Sequence, residues 1–120
     1  MKLIPLKEQW QLRGWTPQPT LVPLKPPRYA IVDDNDYARL LQFEWYLVRD
    51  NVRGYTFPYA LVEFEHGTEI VMRVFTMQRM VMSLHGEKLR RRVYHRNRIQ
   101  LDNRFENLTF NPKEMVKRSA

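Results

Sequence analysis

VYHRNRIQLDNRFENLTF, residues 93–110, decides how this chain is read. It starts apolar and aromatic up to His95, crosses a polar loop, and closes on the strand-favouring triplet Leu108, Thr109 and Phe110. The pattern predicts a strand over residues 92–95, a loop in which Asp102 turns or caps the backbone, a strand over 108–110, and a helix opening at Pro112. Arg90, Arg91, Arg92, Arg96, Arg98 and Arg104 make this the densest basic group of the sequence.

Charge sharpens the point. Residues 85–120 hold ten basic and four acidic residues, whereas residues 28–84 hold six basic and eight acidic, and residues 1–27 four basic and one acidic. Basic character therefore gathers around the opening stretch, which favours a polyanionic partner: nucleic acid first, an acidic protein surface second. The 120 residues suit one core, and the absence of cysteine excludes disulfides, thiolate metal sites and a cysteine nucleophile. No apolar run reaches the length of a membrane span and no signal-peptide block opens the chain, so a cytoplasmic location without membrane contact is expected.

Outward from the stretch, TMQRMVMSLHG places Met77, Met80, Val81 and Leu84 at helical spacing, with Gly86 positioned to end the helix. Residues 55–65 and 68–74 predict a hairpin around His66-Gly67, with Ile70, Met72 and Val74 on one face. Residues 28–32 and 45–48 read as strands, and DNDYARLLQF as a short helix with Asp33 and Asp34 supplying N-cap chemistry. Tyr29, Phe43, Trp45 and Tyr46 are expected in the core, His66 in solvent, and His85 against the helix C-terminus. Six of the eight prolines fall in residues 1–27. Proline fixes φ and removes a donor, so that segment predicts an extended arm with no central strand, apart from a short helix at residues 7–13. Trp10 and Trp15 there either pack back on the domain or anchor to a partner. The class is α+β, a small antiparallel sheet with short helices.

Two blocks of this pattern resemble the phage-type HNH homing endonucleases, whose catalytic core is a ββα-metal finger. YAIVDDNDYARLLQFEWYLVRD, the hairpin and TMQRMVMSLHG are similar in order and character to the N-terminal half of that family. VYHRNRIQLDNRFENLTF is similar to its V-D-H-x-N-x-x-x-L-D-N-R-x-x-N-L pattern. The resemblance implies an N-terminal arm over residues 1–21 and an HNH-like domain over 22–120, with the finger at 90–120. It also places His95 on the general base and Asn107, twelve residues on, on the residue that orients it.

Such a site works by three parts: a histidine that takes the proton of the attacking water, an amide that fixes its tautomer, and a divalent cation held by oxygen ligands. The cation is where this chain departs from the family. The family's metal-ligating Asp before the base is Tyr94, a neutral phenol, and the second ligand position falls near Val116. Asp102, Glu106 and Glu114 are the remaining carboxylates that a magnesium ion could use. The expectation is therefore no metal and no cofactor, and a nuclease scaffold that no longer cuts. DNA or nucleic-acid-processing machinery such as RNA polymerase is its expected partner, and a host-cell cytoplasm its location if phage-encoded. Contacts are expected from the six arginines above with Trp10 and Trp15. A regulator that inhibits transcription through protein contacts, and an active metal-dependent nicking enzyme, are the alternatives.

Overall fold

The computed structural model describes residues 1–8, 28–50 and 55–117. Seven strands and two α-helices are present there: β1 (Lys2–Glu8), β2 (Arg28–Val32), α1 (Asp34–Leu40), β3 (Tyr46–Asp50), β4 (Tyr55–His66), β5 (Glu69–Thr76), α2 (Met77–Leu84), β6 (Tyr94–His95) and β7 (Leu108–Thr109). The first five strands form one sheet in the order β2-β1-β3-β4-β5, and β6 and β7 form a separate two-stranded antiparallel unit. The class is α+β, with a mixed sheet rather than an antiparallel one, because β1 and β3 pair in parallel at Lys7↔Tyr46 and Glu8↔Leu47.

β1 is the main departure from the sequence reading. The expected N-terminal arm begins as a strand between two others, and its further residues, including Trp10 and Trp15, lie outside the described residues. The alternation that builds β1 is plain: Ile4 and Leu6 are buried, while Leu3 before them and Pro5 between them are exposed. Pro5 is tolerated because β1 has a ladder neighbour only on the β2 side over residues 2–6, so a missing donor need not break a bond there.

The core lies on one face of the sheet, beneath the two helices and the β6–β7 unit. Ala30 and Val32 of β2, Leu47 of β3, Ala60 of β4 and Ile4 and Leu6 of β1 meet Leu40, Met77, Val81 and Met82 of the helices and Val93 and Leu108 beside the last two strands. Burying each larger apolar side chain stabilises the fold by about 1.5–3 kcal/mol before conformational entropy is counted. Trp45 fills the end of this layer, and its indole N–H donates to the Leu40 carbonyl at 2.7 Å. That bond satisfies one of the acceptors that the end of α1 leaves without an intrahelical partner. Tyr29, expected inside, is 43 % exposed, since it alternates with the buried Ala30 and points to the other face.

α2 begins where the spacing predicts, with Met77, Val81 and Met82 buried and Gly86 at φ +80° just beyond it, a left-handed conformation that glycine adopts without strain. Gly67 plays the same part at the β4–β5 turn, at φ +65°. The predicted C-terminal helix is instead a single 3-10 turn at Pro112–Glu114, after which Met115 returns to extended backbone at ψ 142°. The expected ββα finger is therefore not shown: residues 90–117, termed the finger for brevity, hold two short strands but no α-helix among the described residues.

The finger docks on the sheet through backbone. The Ile31 N–H donates to the Leu101 carbonyl at 2.7 Å, and the Asn103 N–H donates to the Ile31 carbonyl at 2.8 Å. This parallel bridge, Ile31↔Asp102, covers the outer edge of β2.

Candidate functional site

β6 and β7 align Tyr94 with Thr109 and His95 with Leu108, and the twelve intervening residues fold over this short ladder. The loop is closed by its own amides. Asn107 Oδ1 accepts from the Asn97 N–H at 3.0 Å, and Asn107 Nδ2 donates to the Asp102 carbonyl at 2.7 Å. Asn97 Nδ2 donates to Asp102 Oδ2 at 2.8 Å, and Asn97 Oδ1 accepts from the Ile99 N–H at 2.9 Å. Arg98 takes a left-handed φ of 62°, a mildly strained conformation for a residue with a Cβ, at the bend of this loop.

Asn107 does not orient His95. The His95 ring is buried, and its Nε2 lies 2.7 Å from Oδ1 of Asn103, a residue with no exposed surface. The reason is register. Pairing His95 with Leu108 brings the Asn107 carbonyl onto the Arg96 N–H, at 2.7 Å, and its side chain into the loop, while Asn103 reaches the ring from the docking bridge. An amide oxygen facing the ring is satisfied by an Nε2–H donor, the tautomer that leaves Nδ1 as the basic nitrogen of the ring. Burial holds the imidazole below its ordinary value of 6.5, more strongly than the Asn103 bond and the Asp102 charge raise it. His95 is thus a buried imidazole held at Nε2 by an amide oxygen. Asn103 Nδ2 has no partner among the described residues.

Asp102 is the hub of the loop and almost fully buried. Burial pushes its carboxyl up, but hydrogen bonds from Arg104 and Asn97 and the Arg104 charge outweigh that and hold it below its usual value. The Arg104 contact is bidentate, Nε to Oδ1 at 2.9 Å and Nη2 to Oδ2 at 2.7 Å.

The arginines divide into two groups. Arg104 is held by Asp102; Arg96 Nη1 lies 3.1 Å from Glu114; Arg98 Nε donates to the Val116 carbonyl at 2.7 Å; Arg92 sits 5.3 Å over the Tyr94 ring. Arg90 and Arg91 are exposed, and their guanidinium groups have no hydrogen-bond or ion-pair partner among the described residues. They lie on the irregular segment that leads from α2 into β6, with Lys88 exposed beside them.

Tyr94, Val116, Asp102 and Glu114 do not suit a divalent cation. Tyr94 carries a guanidinium over its ring, and Val116 uses its backbone, accepting from Arg98 and donating to the Arg96 carbonyl at 2.7 Å. Glu114 accepts from the Thr109 hydroxyl and pairs with Arg96, and Asp102 is committed to Arg104 and Asn97. A cation at any of these carboxylates would have to displace a positive side chain. No group of three or more metal-ligating side chains occurs among the described residues.

A second constellation was not legible in the sequence. His85 turns away from its own helix end and brings Nε2 within 2.9 and 3.0 Å of the two oxygens of Asp36, a buried carboxylate in the first turn of α1. Its ring stacks on Phe105 at 4.0 Å and 6°. The Phe105 N–H donates to Asp33 Oδ2 at 2.8 Å, so Asp33, although placed at the α1 N-cap, uses its side chain on the finger instead. The DDND segment thereby clasps both the end of α2 and the finger. Its partner His85 lies forty-nine residues from Asp36, a separation that no local pattern signals.

Family models, curated proteins and solved structures give no match to this chain. Among the described residues no helix is long and apolar enough to cross a membrane.

Proposed function

We propose that this protein is a non-cleaving relative of the HNH nucleases that binds nucleic acid through the basic rim of its finger. The observation that supports this reading is the pair of guanidinium groups, Arg90 and Arg91, that have no partner among the described residues, beside a finger whose other arginines are held by their own chain. A guanidinium left in solvent at the edge of a rigid element suits phosphate oxygens, and counterion release favours the contact. Against hydrolysis stand the burial of His95 and the commitment of Asp102 and Glu114 to arginines.

The test is fluorescence anisotropy of a labelled duplex oligonucleotide titrated with the full chain in EDTA, at several salt concentrations. Binding should persist without divalent cations and weaken as salt rises, with a log–log slope of about −0.9 per phosphate contacted. Arg90→Glu with Arg91→Glu should weaken it by roughly tenfold or more, while supercoiled plasmid stays uncut in magnesium or manganese. Nicking that requires metal and is lost in His95→Ala would overturn the reading, as would an absence of salt-sensitive binding.

A further inference from the structure

β3 pairs with β4 only over Tyr55–Tyr59, so residues 60–66 of β4 and the facing part of β5 project past the sheet as a two-stranded ribbon. Two strands alone are marginal in water, and this ribbon does not hide its apolar residues. Ile70 is 69 %, Val74 56 % and Met72 50 % exposed, all on one face, with Leu61 beside Val74. The two edges of the sheet are treated differently. The finger's loop covers β2, whereas β5 has no neighbour beyond β4 among the described residues. Exposed edge strands usually carry lysine, proline or a bulge against pairing with another chain. EIVMRVFT, residues 69–76, has no lysine or proline, and its two charges are of opposite sign, four residues apart.

That spacing is self-complementary. Laid antiparallel on a second copy about a two-fold axis through Val71, Glu69 of each strand stands opposite Arg73 of the other. Both lie on one face, because in a strand residues two apart share a face. On the opposite face Ile70 meets Met72 of the second copy, and the exposed apolar stripe becomes continuous. The hollow of about 300 Å³ beside Phe64, Val71 and Arg73 lies on the face where the two Val71 side chains would meet. Arg73 is already drawn along the ribbon, its guanidinium 5.8 Å over the Phe64 ring. We infer that β5 is a homodimer interface, joining two sheets edge to edge through Glu69–Arg73 pairs. The inference does not depend on nucleic-acid binding.

Sedimentation equilibrium on the full chain tests it. The wild type should pass from the 14.6 kDa chain mass to twice that value as concentration rises. Glu69→Arg alone and Arg73→Glu alone each place like charges opposite one another twice and should weaken dimerisation by roughly tenfold or more. Equimolar mixing of the two single variants should restore the dimer, since each then supplies what the other lacks. The variant carrying both exchanges should dimerise like the wild type. The restoring mixture also shows that the single variants are folded. A wild type that stays monomeric at all concentrations would overturn the inference and leave the edge to residues 9–27 or to another protein. A dimer indifferent to all these charge changes would overturn the Val71-centred pairing.

Discussion

His95→Ala separates a structural histidine from a catalytic one. The ring is 5 % exposed and bonded to an asparagine with no exposed surface. Removing it leaves the Asn103 oxygen without a donor, at about 1–3 kcal/mol, and the vacated volume adds about 1–2 kcal/mol. The expected loss is about 3 kcal/mol, read as a lower urea midpoint at unchanged slope. The pH dependence supplies a second, independent measure. Burial keeps the folded imidazole below its ordinary value of 6.5, so as pH falls through that value the unfolded chain takes up a proton that the folded chain refuses. The unfolded state then binds more protons, and the wild type loses stability on acidification, by at most about 1.4 kcal/mol per pH unit from this group. The variant lacks that component, so the gap between wild type and variant should narrow from pH 8 to pH 5. A gap that holds constant or widens, or a loss under about 1 kcal/mol at pH 8, would refute the reasoning.

Asp102→Ala should destabilise by about 2 kcal/mol, since Asn97 and the docking loop lose their acceptor while the half-exposed Arg104 returns partly to water; urea unfolding checks it. Because the folded carboxyl is held below its ordinary 3.8, its stabilisation is present above that pH and is lost as pH falls further, so Asp102→Asn should flatten acid unfolding below about pH 4. His85→Ala strands the buried Asp36 carboxylate and should cost about 2 kcal/mol, with a double-mutant cycle against Asp36→Asn giving a coupling of about 1 kcal/mol or more. Replacing Arg90 and Arg91 by alanine should leave the urea midpoint within about 0.5 kcal/mol of wild type, because neither guanidinium has a partner to lose among the described residues, and should reduce the salt slope of duplex binding by about 2.

Local periodicity made α2, β2 and the hairpin legible. Met77 and Val81 lie on one helical face, and Ile70, Met72 and Val74 on one strand face, and such patterns survive into any fold that buries or exposes that face. β1 was missed because the six prolines of residues 1–27 outweighed a clean alternation at its start, and proline forbids a strand only where the ladder needs its donor. The C-terminal helix failed for a related reason: Pro112 favours a helical start, but Met115 and Val116 are drawn back to extended backbone, with the Val116 N–H on the Arg96 carbonyl. The partner of His95 was beyond sequence spacing. Asn103 and Asn107 both lie within reach along the chain, and only the β6–β7 register and the bridge to Ile31 decide which amide meets the ring.

The way the finger distributes its charges bears on what can approach it. Arg96, Arg98 and Arg104 each neutralise or cap a group of their own loop, Glu114, the Val116 carbonyl and Asp102, so their guanidinium groups stabilise the fold at short range and offer less to a partner. Six arginines read from the sequence as one basic patch therefore act as two kinds. A ligand that paired with Arg104 would have to compete with a bidentate carboxylate already in place, whereas one that paired with Arg90 or Arg91 displaces no side chain of the described residues. On the proposed reading, the same geometry explains why phosphate contact and the lack of hydrolysis are compatible. Contact requires the solvent-facing rim, while hydrolysis would require the buried interior, where Asn103 Oδ1 is bonded to His95, both amide atoms of Asn107 are bonded to the backbone, and Asp102 is bonded to Arg104 and Asn97.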